Sequence, residues 1–105
     1  MYEYKLIVYV PLTHADIVRE AIGGVGGGKI GNYSHCSFSS RGQGRFLPLP
    51  GAEPHIGAVG TPEIVEEERI EVTVDEEVLE VVIQAMKSAH PYDEVAYDVY
   101  KLEDF

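Results

Sequence analysis

Apolar positions along this chain alternate with polar ones, then recur every three to four residues, and that order appears twice. Tyr2, Tyr4, Leu6, Val8 and Val10 interleave with Glu3, Lys5, Ile7 and Tyr9, which predicts a strand closed by Pro11. Ala15, Ile17, Val18, Ala21 and Ile22 then form the stripe of a helix running to about Ile22. Thr13 is the expected N-cap, with Asp16 in the first turn. Gly23–Gly28 holds five glycines and stops the helix, since each glycine costs about 1 kcal/mol relative to alanine. The second copy runs Ile70, Val72, Val74 against Glu71, Thr73, Asp75, then Val78, Leu79, Val82, Ile83 and Met86 at helical spacing. In register, Val10 falls on Val74, Val18 on Val82 and Ala21 on Ala85. Asp75 is the predicted cap of this helix, and His90-Pro91 its end.

The remaining stretches complete each half. Tyr33–Ser40 reads as a weaker strand with Cys36 and Phe38 on one face. Arg41-Gly42-Gln43-Gly44 reads as a turn from which Arg45-Phe46-Leu47 returns. Proline and glycine between Pro48 and Pro62 predict a structured loop, and Glu94–Leu102 a last strand. The implied fold is α+β: one domain over residues 1–105, a ferredoxin-like βαββαβ sandwich whose two helices cover one face of an antiparallel sheet. Strands one and three then lie side by side in the centre. The uncovered face carries Lys5, Ile7, Tyr9, Glu71 and Thr73, and Ile7, Tyr9 and Thr73 become the expected oligomer interface. The alternative is a wet face tolerating two apolar residues.

Charge removes some functions from consideration. With 18 acidic against 8 basic residues the formal net charge is -10, which disfavours nucleic acid. No apolar run approaches the ~20 residues of a membrane span, and no signal peptide is expected. The single cysteine, Cys36, fits a reducing cytoplasm. Gly26-Gly27-Gly28-Lys29 follows a helix instead of opening one, so a connector is favoured over a phosphate loop. His14, His35, His55 and His90 are dispersed, and adjacent His35 and Cys36 would point to opposite faces of a strand. Cys36 sits mid-strand with nothing to lower its thiol pKa, and no catalytic pair is evident. The run Glu63–Glu71 reads as a solvated approach to strand three. His90-Pro91-Tyr92-Asp93-Glu94-Val95-Ala96-Tyr97-Asp98 packs a histidine, two tyrosines and three carboxylates into one turn. There His90 would gain from the helix dipole when charged, and Tyr92 would plug the core's end.

Four blocks carry a family resemblance: Gly31–Phe38, Gly42–Pro48, Glu68–Glu71 and His90–Asp98. Together they resemble the small domain of YqfO-type proteins of the Nif-three-like family, over nearly the whole chain. Val95 and Asp93 stand where proline and glutamate are usual. The resemblance implies a CutA-like and PII-like fold, trimeric assembly with sheets facing one another, and no transferred metal ligands or catalytic residues. The expected function is a small cytoplasmic homo-oligomer, a trimer by that resemblance, of ligand-binding or regulatory type. Its cleft between subunits would be lined by Cys36, Phe38, His90 and Tyr92, with Gly42 and Gly44 nearby. One alternative binds a divalent metal through His35 or Cys36 with His90 and a carboxylate. Another is a protein-interaction module without a small ligand. No other cofactor is expected, and an enzyme ranks last.

Overall fold

A computed structural model of the chain describes residues 3–105; Tyr2, assigned to the first strand, lies outside them. The elements are β1 (Tyr4–Pro11), α1 (Ala15–Gly24), β2 (Phe38–Phe46), β3 (Glu63–Val74), α2 (Leu79–Ala89) and β4 (Tyr97–Lys101). They form one antiparallel sheet in the order β2-β3-β1-β4, so the repeated strands occupy the centre as the duplication requires. Leu6, Val8, Val10, Ile70, Val72 and Val74 meet Val18, Ile22, Val82 and Met86 of the helices in one core. Each such side chain contributes about 1.5–3 kcal/mol by leaving water.

Several local expectations give way to packing. Thr13 does not cap α1: a 3-10 turn over Leu12–His14 intervenes, and the Thr13 hydroxyl lies 2.9 Å from His14 Nδ1 instead. Asp75 likewise starts a 3-10 turn, Glu76–Val78, and makes no side-chain cap bond. Proline or aspartate at the strand end leaves the chain extended, and one tight turn must precede the α-helix before it can lie back over the sheet. Ile17 is exposed on α1, outside the buried stripe, because Ala15, Val18 and Ile22 already fill the narrow seam with α2. The last strand is shorter than Glu94–Leu102, since the preceding residues belong to a loop.

The largest departure is β2. Arg41–Gly44 is not a turn but the middle of a strand that pairs rung for rung with β3 from Phe38↔Glu71 to Phe46↔Glu63. The glycines there carry the turn signal, yet Gly42 and Gly44 lie within an uninterrupted ladder and the reversal is made by residues 47–62. Cys36 accordingly precedes the strand, while Glu63–Glu71 belongs to β3 and its Glu67 is buried. Beyond the rung Pro11↔Glu67, β1 stops and β2–β3 continues as a two-stranded arm, giving a molecule 46 × 24 × 23 Å.

The glycine tract is pinned as well. Gly27 N–H donates to Ile22 O, Gly28 N–H to Thr73 O at 2.8 Å, and Cys36 N–H to Gly28 O at 2.9 Å. Gly28 has φ +77, and a Cβ there would run into the Cys36 backbone. Gly28→Ala should therefore destabilise the protein by about 1–3 kcal/mol in urea unfolding. Gly42→Ala, where a Cβ meets open space, should stay within about 0.5 kcal/mol. Equal effects at the two positions would refute the docking role of the tract.

Candidate functional site

Where β1 ends and the arm continues, the sheet drops from four strands to two. Strand alternation puts Tyr9, Glu67, Gly44 and Phe46 on the side away from the helices. The loop after β2 and the segment after α2 fold over that end and leave a half-open groove of about 600 Å³. Phe46, Leu49, Pro54, His55 and Tyr92 give it a largely apolar lining, with Glu67 at the base. The two covering segments are joined by Glu53 N–H donating to Asp93 Oδ2 at 2.9 Å.

One chain of hydrogen bonds fixes the segment after α2. His90 closes the helix and lies buried, with Nε2 2.7 Å from Tyr9 O. Its Nδ1 accepts from Tyr92 N–H at 3.1 Å. A carbonyl on one nitrogen and an N–H on the other demand the neutral ring protonated at Nε2. Burial pushes the His90 pKa below its ordinary 6.5, outweighing the hydrogen bond to the Tyr9 carbonyl and the charge of Glu67. The dipole gain expected for a charged His90 is thus not realised, because the ring is needed as an acceptor. Tyr92 then donates its hydroxyl to Glu67 Oε2 at 2.9 Å. Burial, followed by that bond and charge, raises the Tyr92 pKa far above its ordinary value, so the phenol stays protonated. Glu67 is 8% exposed, a buried carboxylate organised by one phenol.

Of the expected ligand-site residues, Gly44 and Tyr92 line the groove and His90 supports Tyr92 from behind. Gly42 lies opposite Glu67 in the ladder. Phe38 begins β2 eight residues before Phe46, about 26 Å away along a strand at ~3.3 Å per residue. Cys36 precedes it, so neither joins the groove within one chain. Of the expected interface residues, Tyr9 enters the groove. Ile7 is 1% exposed within the chain itself, between register partners Glu71 and Asp98 and flanked by the longer Lys5 and Tyr9. Thr73 is half-buried, with its hydroxyl unpaired. The open face instead presents Phe38 and Tyr100.

The proposed metal set is not assembled. His35 stands beside α1, 3.7 Å from Glu20, while both nitrogens of His90 are engaged elsewhere. Among the described residues no three His, Cys, Asp or Glu side chains gather to hold a metal ion. Sequence reading missed Glu67, hidden in an acidic run, and the gathering of His55 and His14 (ring centroids 5.5 Å apart) beside Tyr92. Only the β3 register distinguishes Glu67 from its neighbours.

The fold is shared with proteins of known structure. CutA of Archaeoglobus fulgidus superposes with a TM-score of 0.65 at 16% identity, covering 100% of this chain and 87% of that one. The Bacillus subtilis GlnK–ATP complex does so with a TM-score of 0.64 at 15% identity, covering 96% and 84%. No protein-family model matches the chain. Sequence narrows the relationship. The Bacillus subtilis GTP cyclohydrolase 1 type 2 homolog is 54% identical over 99 residues, 94% of this chain and 26% of its own length. A NIF3-related protein of Bacillus cereus superposes with a TM-score of 0.84 at 50% identity, covering 99% of this chain and 27% of that one. The chain is thus homologous to one domain of these NIF3-related proteins and has a CutA/PII-like fold, spanning about a quarter of their length. Among the described residues no helix is long and apolar enough to cross a membrane.

Two measurements test the site's hydrogen-bond chain. Tyr92→Phe removes the donor to a buried carboxylate and should cost about 1–3 kcal/mol in urea unfolding; a neutral result would dissolve the Tyr92–Glu67 link. A folded-state His90 pKa below 6.5 means that the unfolded chain binds the proton more readily. Its contribution to stability is complete above pH 6.5, shrinks as pH falls through the window between 6.5 and the lower folded value, and levels off beneath it. His90→Gln should flatten that part of the stability–pH curve; an unchanged curve would mean His90 is not the group responsible.

Proposed function

We propose that this domain is an oligomeric ligand-binding module of the reducing cytoplasm, taking a small molecule in the groove at the root of the arm. The observation that carries the reading is a buried carboxylate at the base of a largely apolar groove of about 600 Å³, the size and character of small-molecule sites. Binding is favoured over catalysis because the Tyr92 hydroxyl and both His90 nitrogens are committed to holding the loop. The GlnK neighbour is a complex with ATP, which supports the use of this fold for small ligands at the level of analogy alone.

Assembly is the second part of the proposal. Phe38 and Tyr100 are 68% and 53% exposed on the side of the sheet that the helices leave bare. Large apolar side chains on one open sheet favour a second copy of the chain across them. Cys36 and Phe38, remote from the groove of their own chain, then belong to contacts between copies, and a trimer is the arrangement we favour. Sedimentation velocity at micromolar concentration should show an assembly, and Phe38→Asp should shift it toward monomer while the domain stays folded. Calorimetry against metabolites, nucleotides and metals should find heat with at least one small organic ligand. A monomeric wild type that is silent across that panel contradicts the proposal and leaves a protein-interaction module as the better account.

A further inference from the structure

The groove carries more information than its size. Glu67 is more than nine-tenths buried, yet only one of its oxygens is occupied: Tyr92 donates to Oε2. Among the described residues no hydrogen bond reaches Oε1. That oxygen lies against Gly44, where a Cβ would overlap it, so the missing side chain is what leaves it room. Unlike the buried, unpaired oxygens of Thr73 and Asp75, Oε1 stays accessible, so a donor brought by a ligand can reach it.

The surroundings say what kind of donor fits. The rings of Phe46 and His55 stand around Tyr92 with centroids 6.0 and 6.3 Å from it, a setting for a flat aromatic body. Glu67, Asp93 and Glu94 line the groove, while the one Arg or Lys of the lining, Arg45, sits at a β2 position whose side chain alternates to the opposite side of the sheet. Arg45 is moreover engaged with Gln43 Oε1 at 3.2 Å. Three carboxylates to one cation repel phosphates and favour a positive or N–H-rich group. Carboxylates pair best with a planar pair of N–H donors, as in an amidinium or guanidinium fork.

Building on the ligand-binding reading above, we propose that the groove takes a flat nitrogen-bearing ring without a phosphate tail, whose amidine-type edge gives one N–H to Glu67 Oε1 and the other to the lone pair of Oε2 that Tyr92 leaves free. The ring lies among Phe46, Tyr92 and His55, and Tyr92 holds the carboxylate in place from the other side. Free cations and neutral 2-amino heterocycles share this donor edge.

Proton–nitrogen NMR of the full chain, titrated with benzamidine, 2-aminobenzimidazole and benzyl alcohol, tests the assignment. Benzamidine and 2-aminobenzimidazole should shift the amides of Gly44, Glu67 and Tyr92 and bind at least tenfold more tightly than benzyl alcohol, which offers the same flat body without the donor pair. Response to benzamidine alone assigns a cationic ligand, and response to both a donor edge of either charge. Glu67→Gln should remove the tenfold preference, and so should Gly44→Ala, whose methyl takes the place of Oε1. If all three probes bind the groove equally, or if both variants keep the preference, the assignment of Glu67 as the ligand's partner fails while the groove stands as a binding site. If none of the probes perturbs groove amides, the ligand-binding reading falls with it.

Discussion

The arrangement at the end of β1 depends on a single buried charge. Glu67 pairs in the ladder with Pro11 on one side and Gly42 on the other, at the rung where four strands become two. A carboxylate that is 8% exposed must be held by donors or it will drive the local structure open. Tyr92 supplies one, and it can do so only because His90 fixes the backbone of residue 92 and is itself fixed by Tyr9 O. Strand β1, the close of α2, the following loop and the base of the arm are thereby tied through one line of contacts. Residues 47–56 then fold over this frame and complete the groove.

The fold was legible because its evidence is periodic and duplicated. Alternation at Leu6, Val8, Val10 and at Ile70, Val72, Val74, each followed by helical spacing, requires two central strands and two helices on one face. Those residues make the core. The middle of the chain was not legible in the same way. Gly42 and Gly44 carry a strong local turn signal, but nine rungs of pairing with β3 override it, and the reversal falls to residues 47–62. Caps failed for a related reason: Thr13 and Asp75 have suitable side chains, yet the direction in which each helix must leave the sheet inserts a 3-10 turn first.

The site was legible in part. The crowding of polar and aromatic residues at His90–Asp98 drew attention to Tyr92 and His90, which do belong to the groove's frame. Their partner Glu67 was invisible, since nothing in Glu66-Glu67-Glu68 marks the middle residue except a register known only once β1, β2 and β3 are paired. Neighbouring Glu68 turns to the other side of the sheet and pairs with Arg19 of α1. Cys36 and Phe38 were expected to meet Tyr92 in a cleft between subunits, and within one chain β2 runs straight through the predicted turn at Arg41–Gly44. Straightened, the strand carries them to its opposite end.

Long-range proton–nitrogen NMR of the imidazole rings in the full chain tests this account most directly. At pH 7 His90 should be neutral, with its proton on Nε2 and a bare Nδ1, because Tyr9 O needs a donor and Tyr92 N–H needs an acceptor. A charged ring, or a proton on Nδ1, would break the line from Tyr9 to Glu67 and leave the groove without the frame described here.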